Sequence, residues 1–138
     1  IPMKFPSAAE QMKDDLSIWT WFREVIRVRN AFPAIARGLT ESVDSLSDSN
    51  VAAFIRRSRE SGTANSASDG DLLIVMNLRA DTAVKEISGE ASAAGGADGS
   101  ADNNLTLAAV LNTGEENITY DDGVLTLPGY SIAVFTMD

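Results

Sequence analysis

Apolar residues recur at three- and four-residue steps along residues 16–31, the spacing of a helix face. Ile18, Phe22, Val25, Ile26 and Arg29 fall on one stripe, and Trp19, Trp21 and Val28 widen it. A helix that is apolar on more than one side is ordinarily covered by more than one neighbour. Upstream, Ser7 stands three residues before Glu10, a capping-box spacing that predicts a short helical turn over residues 8–12. Asp14 and Asp15 carry charges that suit a second helix start. Asn30 and Pro33 end the long helix, because the residue before a proline avoids helical angles. Residues 34–37 add a turn that Gly38 stops.

The period then changes to two. Residues 51–57, 72–78, 82–87, 105–112, 117–120, 124–127 and 131–137 alternate and are rich in Val, Ile, Leu and Phe, which predicts strands. Tyr120-Asp-Asp-Gly-Val124 reads as a tight hairpin turn, and Leu127-Pro-Gly-Tyr130 as a type II turn with Pro128 and Gly129 at its centre. Residues 58–70 and 88–103 are small and polar, so they read as solvated loops. Many short strands with close turn signals predict a mainly β fold, an antiparallel Greek-key β-sandwich preceded by one long helix. A small sandwich cannot cover two sides of that helix, so a further neighbour is expected.

Composition narrows the chemistry. The chain has 138 residues, 44% of them hydrophobic and 22% charged, as in a globular protein. Its formal charge of −9 disfavours nucleic acid and anionic membrane surfaces as partners. No apolar run approaches the ~20 residues of a membrane span, and no basic-then-apolar leader opens the chain. The chain begins at Ile1 and reads as a piece of something longer. Cys and His are both absent, which removes disulfides, thiolate nucleophiles, Ser-His-Asp triads and most transition-metal sites. Carboxylate, Lys or Tyr chemistry remains, and no cofactor is called for.

The run Ala9-Glu10-Gln11 through Asp14-Asp15-Leu16-Ser17 and on through Val28-Arg29-Asn30-Ala31-Phe32-Pro33-Ala34-Ile35 to Gly38 resembles the α-amylase family of glycoside hydrolases. The strands Val51-Ala-Ala-Phe-Ile-Arg56, Leu73-Ile-Val-Met-Asn-Leu78 and Leu125-Thr-Leu-Pro-Gly-Tyr-Ser-Ile-Ala-Val-Phe135 are similar to that family's C-terminal sandwich. The resemblance implies that residues 1–37 are the terminal segment and last helix of a catalytic (β/α)-eight barrel, and residues 38–138 its C-terminal domain. The family's catalytic Asp, Glu and Asp lie upstream of that helix, so the resemblance implies no catalytic residue here. The implied partner is the missing barrel of the same polypeptide, and the implied parent reaction is hydrolysis of α-glucans such as starch and maltooligosaccharides. A trehalose- or sucrose-acting parent stays open, as does localisation; a secreted or cell-surface bacterial parent fits the composition.

Each candidate residue also has a structural role open to it. Glycoside hydrolysis needs two carboxyls at set separation. Asp14-Asp15, Asp69/Asp71 and Asp121-Asp122 sit instead where Asp caps backbone donors. The loops at Asp69–Asp71 and Asp98–Asp102 lack the spaced ligands of a calcium loop. Tyr120 and Tyr130, beside turns, are the candidate sugar contacts of a carbohydrate-binding module. Trp19, Trp21, Phe22 and Ile26 are the candidate partner-facing residues, toward the barrel or toward a second copy in a homodimer. Arg29 reads as a buried tie between helix and sandwich, and Arg56 as solvated. Asn104-Leu-Thr106 and Asn117-Ile-Thr119 fit the glycosylation acceptor pattern.

Overall fold

The computed structural model describes residues 6–57, 71–87 and 105–137. The predicted loops 58–70 and 88–103, with Asp69, Asp98–Asp102 and Asn104, lie outside the described residues. Helices come first: α1 (Ala8–Gln11), α2 (Ile18–Ala31) and α3 (Pro33–Arg37). Strands follow: β1 (Leu39–Ser42), β2 (Val51–Arg57), β3 (Leu72–Asn77), β4 (Ala83–Glu86), β5 (Leu105–Leu111), β6 (Thr119–Asp121), β7 (Val124–Leu127) and β8 (Ile132–Met137).

All strand pairs are antiparallel, in a five-stranded sheet β1-β2-β3-β8-β5 and a three-stranded sheet β4-β7-β6. The chain crosses between the sheets repeatedly, and β8 closes the larger one between β3 and β5. Side chains alternate across each strand, so the larger sheet serves two cores. Val51, Ala53 and Ile55 of β2, Leu73 and Val75 of β3, and Phe135 of β8 meet Leu125 and Leu127 of the smaller sheet. Leu72, Ile74 and Val134, on the opposite face, meet Val28 of α2 and Ala34 of α3. The order of layers is therefore helices, large sheet, small sheet. The alternation expected of residues 72–78 is not what the burial shows: with both faces covered, β3 is buried at every position but Met76.

Sequence patterns place the elements with local exceptions. Ser7 and Glu10 form the capping box of α1. The cap of α2 is Ser17, whose hydroxyl accepts from the Thr20 N–H, rather than Asp14 or Asp15; Asp14 instead takes the Leu16 N–H, 3.0 Å away. Asp122 and Gly123, with φ of 50° and 78°, make the two-residue β6–β7 hairpin. The turn at residues 127–130 is not type II. Gly129 stays at negative φ, and Tyr130 takes the left-handed angle, φ 54°. Glycine is required at 129 by proximity, since a Cβ there would collide with the Ala80 backbone carbonyl. Along β5 a register shift between Leu107 and Ala109 swaps faces, so Leu105 and Leu107 join the inter-sheet core while Ala109 and Leu111 join the helix side. Strand β1 carries no alternation and escapes sequence reading. It pairs with β2, and between the two Val43 and Leu46 plug the inter-sheet core.

Candidate interaction surface

Helix α2 is anchored from both ends. The Ser17 hydroxyl donates to the Gln11 carbonyl at 2.6 Å, and Thr20 Oγ1 donates to the Asp14 carbonyl at 2.7 Å, tying α1 to its start. Beyond its far end Arg56, reaching over from β2, holds α3 by donating to the carbonyls of Ala34 and Ile35 at 3.2 and 2.8 Å, and it donates to the Thr40 hydroxyl. These are strong, charge-assisted bonds to the last turn of α3, where the Ala34 carbonyl also accepts from the Gly38 N–H. Arg56 thus performs the tie assigned to Arg29. Arg29 is exposed, because it lies on the flank of α2 rather than on its sheet-facing side.

The apolar arc of α2 divides in two. Val25 and Val28, with Phe32 beyond its end, pack on the large sheet. Ile18, Phe22 and Ile26, about a quarter turn round the helix, remain 71%, 56% and 54% exposed. Leu16 before the helix and Val110 on the edge strand β5 extend this apolar surface. Of the four candidate partner-facing residues, Phe22 and Ile26 are exposed while Trp19 and Trp21 are half-buried. Trp19 lies under the Arg23 guanidinium at 5.6 Å. Trp21 meets the edge of Phe22, with ring centroids 5.8 Å apart.

Between α2 and β5 runs a groove of about 540 Å³, walled by Leu16, Trp21, Phe22, Val110 and Leu111, with Asp15 and Glu24 among its lining residues. Trp21 Nε1 is buried and has no hydrogen-bond partner among the described residues. Val110 and Leu111 are the part of this surface that the sequence reading missed. Their place beside α2 depends on the β5 register shift, which no local pattern announces.

The two candidate sugar contacts stand apart in kind. Tyr120, on β6, is half-buried and makes a T-shaped contact with Phe135, centroids 4.9 Å apart, so its ring packs against the inter-sheet core. Tyr130 is 57% exposed and offers a ring to solvent.

Carboxylates serve the frame. Arg57 binds Glu41 and Asp71 at 2.6 and 2.7 Å, and these bonds, Glu41's foremost, raise its pKa against the opposing effect of burial. Asp48 accepts from Lys85 and from the N–H groups of Asn50 and Val51, which hold its carboxyl at about 2. Asn77, unread in the sequence, is buried and donates to the carbonyls of Asp81, Leu127 and Pro128, pinning the turn before β8. No group of three or more Asp, Glu, His or Cys placed to hold a metal ion exists among the described residues.

No protein-family model matches the chain, and no curated protein does. Solved structures do. Over all of this chain, Eubacterium rectale Amy13B is similar with a TM-score of 0.79 and 27% identity. The α-amylase from H. orenii aligns with 97% of the chain at a TM-score of 0.65 and 21% identity. The chain matches a fragment of an α-amylase-family glycoside hydrolase. It spans only 23% of the length of either structure. The same fold recurs at 19% identity in the trehalulose synthase MutB from Pseudomonas mesoacidophila MX-45, with a TM-score of 0.60. The β-rich architecture fits the C-terminal domain of α-amylase-family enzymes.

Proposed function

We propose that the chain is the non-catalytic C-terminal part of an α-amylase-like glycoside hydrolase and that it stabilises the enzyme's catalytic barrel. In this reading residues 1–37 end the barrel and residues 38–138 form the domain behind it. The observation that carries it is the split arc of α2: one side is packed on the sheet, and the adjoining Ile18-Phe22-Ile26 side is apolar and exposed. Contiguous apolar surface of that kind marks a place where another surface sits. The partner is the remainder of the same polypeptide, since the matched structures are more than four times as long as the region they share with this chain. The parent's substrate class is α-glucans; a sucrose-acting parent is the competing assignment, supported by the synthase likenesses at lower identity.

The full-length polypeptide and the 138-residue chain, each assayed on maltooligosaccharides and on sucrose, test this. Turnover by the full-length protein and none by the chain alone is expected. Hydrolysis by the purified chain would overturn the assignment. A glucan-binding role has one observation in its favour, the exposed ring of Tyr130. Titrating the chain with maltoheptaose, and repeating with Tyr130→Ala, decides it: saturable binding abolished by the substitution would favour that role.

A further inference from the structure

The exposed flank of α2 is not wholly apolar. Arg29 stands seven residues, about two turns, after Phe22, so it lies on the same line as Ile18 and Phe22. Its helical neighbours one turn back are Val25 and Ile26, and Phe32 follows three residues on. Other cations of the chain are matched within it. Arg27 pairs with Glu24 at 2.9 Å, the Arg23 guanidinium lies over the Trp19 ring, Arg56 holds the carbonyls of Ala34 and Ile35, and Arg57 binds Glu41 and Asp71. The Arg29 guanidinium is exposed and meets no carboxylate, carbonyl or ring among the described residues. A cation in the last turn of a helix gains from the helix dipole, which accounts for an arginine left in water. It does not account for one set in line with the residues that another surface covers. A guanidinium covered by apolar surface without an anion is strongly unfavourable. We propose that the surface covering Ile18, Phe22 and Ile26 carries an Asp or Glu, from the remaining polypeptide, whose carboxylate pairs with Arg29 and fixes where along the helix that surface sits; this rests on the reading above.

The partner's chemistry follows from what Arg29 lacks. Backbone carbonyls would accept from its N–H groups and leave its charge uncompensated, whereas a carboxylate matches the guanidinium fork and neutralises it. An apolar stripe alone binds without fixing its position, and a charge pair at one end of it sets the register. The stripe of a second copy offers no such group. The carboxylate on α2 is Glu24, which is bound to Arg27 and lies about 140° round the helix from Arg29. The matched structures have the chain length to supply the partner from elsewhere in one polypeptide.

Arginine modification by phenylglyoxal, read by mass spectrometry on the 138-residue chain and on the full-length polypeptide that contains it, measures the cover. Arg29 is expected to react at least fivefold more slowly in the full-length protein. Arg29→Lys then identifies the partner, because a carbodiimide joins an amine to a touching carboxylate with loss of water. An amide between the introduced amine and an Asp or Glu outside the 138 residues is expected in the full-length protein. Arg29→Met is expected to lower the melting temperature of the full-length protein and leave that of the chain alone unchanged. If Arg29 is protected but either the amide is missing or Arg29→Met melts as the wild type does, no carboxylate holds it: the inference fails and the docking reading stands. If Arg29 reacts equally in both proteins, the inference also fails. The docking reading is then judged separately by hydroxyl-radical oxidation of Phe22 and Ile26, which fails it when equal in the two proteins. An amide between two copies, formed by Arg29→Lys in the chain alone and growing with its concentration, assigns the contact to a dimer and overturns the proposal.

Discussion

The stripe Ile18, Phe22 and Ile26 offers the sharpest test of how α2 is used. From their exposures these residues together leave about two side chains' worth of apolar surface in water. Full burial of one large apolar side chain contributes about 1.5–3 kcal/mol, so about 3–6 kcal/mol awaits a covering surface. The triple substitution Ile18→Lys, Phe22→Glu, Ile26→Lys removes that reserve. In the isolated chain it is expected to be near neutral, within about 0.5 kcal/mol per site, because exposed positions change little and the new residues are good helix formers. In the full-length polypeptide the same change is expected to remove about 3–6 kcal/mol, lowering the urea midpoint and freeing the C-terminal part to unfold first. Urea titrations followed by circular dichroism on both proteins measure this. Equal losses in the two would refute the reasoning, since the stripe would then be holding the chain's own fold together.

Three further outcomes follow from single residues. Asp48 titrates at about 2 rather than 3.8, a depressed carboxylate, so its stabilising contribution is complete above about pH 4 and disappears as pH falls toward 2. Melting temperature against pH should flatten over that window in Asp48→Asn, and an unchanged slope refutes the assignment. Gly129→Ala is expected to cost about 1–3 kcal/mol by driving a methyl into the Ala80 carbonyl, read as a lowered urea midpoint; a wild-type midpoint would place the turn elsewhere. Asn77→Ala removes the donor that the carbonyls of Asp81, Leu127 and Pro128 share, leaving Pro128 only the Ser131 hydroxyl, a loss of about 1–3 kcal/mol in the same titration, and amide exchange at Tyr130 should accelerate.

What the sequence disclosed and withheld follows the range of the forces involved. The β6–β7 hairpin was legible because Asp122 and Gly123 meet its demand for positive φ with no help from elsewhere. Strand β2 was legible because Val51, Ala53 and Ile55 alternate against a core. Strand β1 was not, since Leu39, Thr40, Glu41 and Ser42 are all exposed and owe their extension to pairing with residues 54–57. The turn at residues 127–130 misled for the same reason. Pro-Gly favours type II locally, but the neighbouring Ala80 backbone leaves room only for a glycine at 129 and moves the left-handed angle to Tyr130. The roles of Arg29 and Arg56 were exchanged because helical spacing groups residues on an arc without saying which part of the arc meets the sheet.

That last ambiguity explains why the candidate surface was half visible. Periodicity showed that α2 is apolar over more than one stripe, but only the packing of Val25 and Val28 shows which stripe the chain uses for itself. The unused one is not incidental to the helix. Ile18, Phe22 and Ile26 are β-branched or aromatic, weaker helix formers than the Lys, Glu or Gln that an exposed flank would tolerate. Each therefore works slightly against helix stability and against solubility in the isolated chain. Apolar choices repeated at three positions in register make sense when the compensating contact lies outside these residues. Arg23 and Arg27 carry the charge further round the helix, and the exposed Arg29 at its last turn is the charge that this otherwise apolar flank holds.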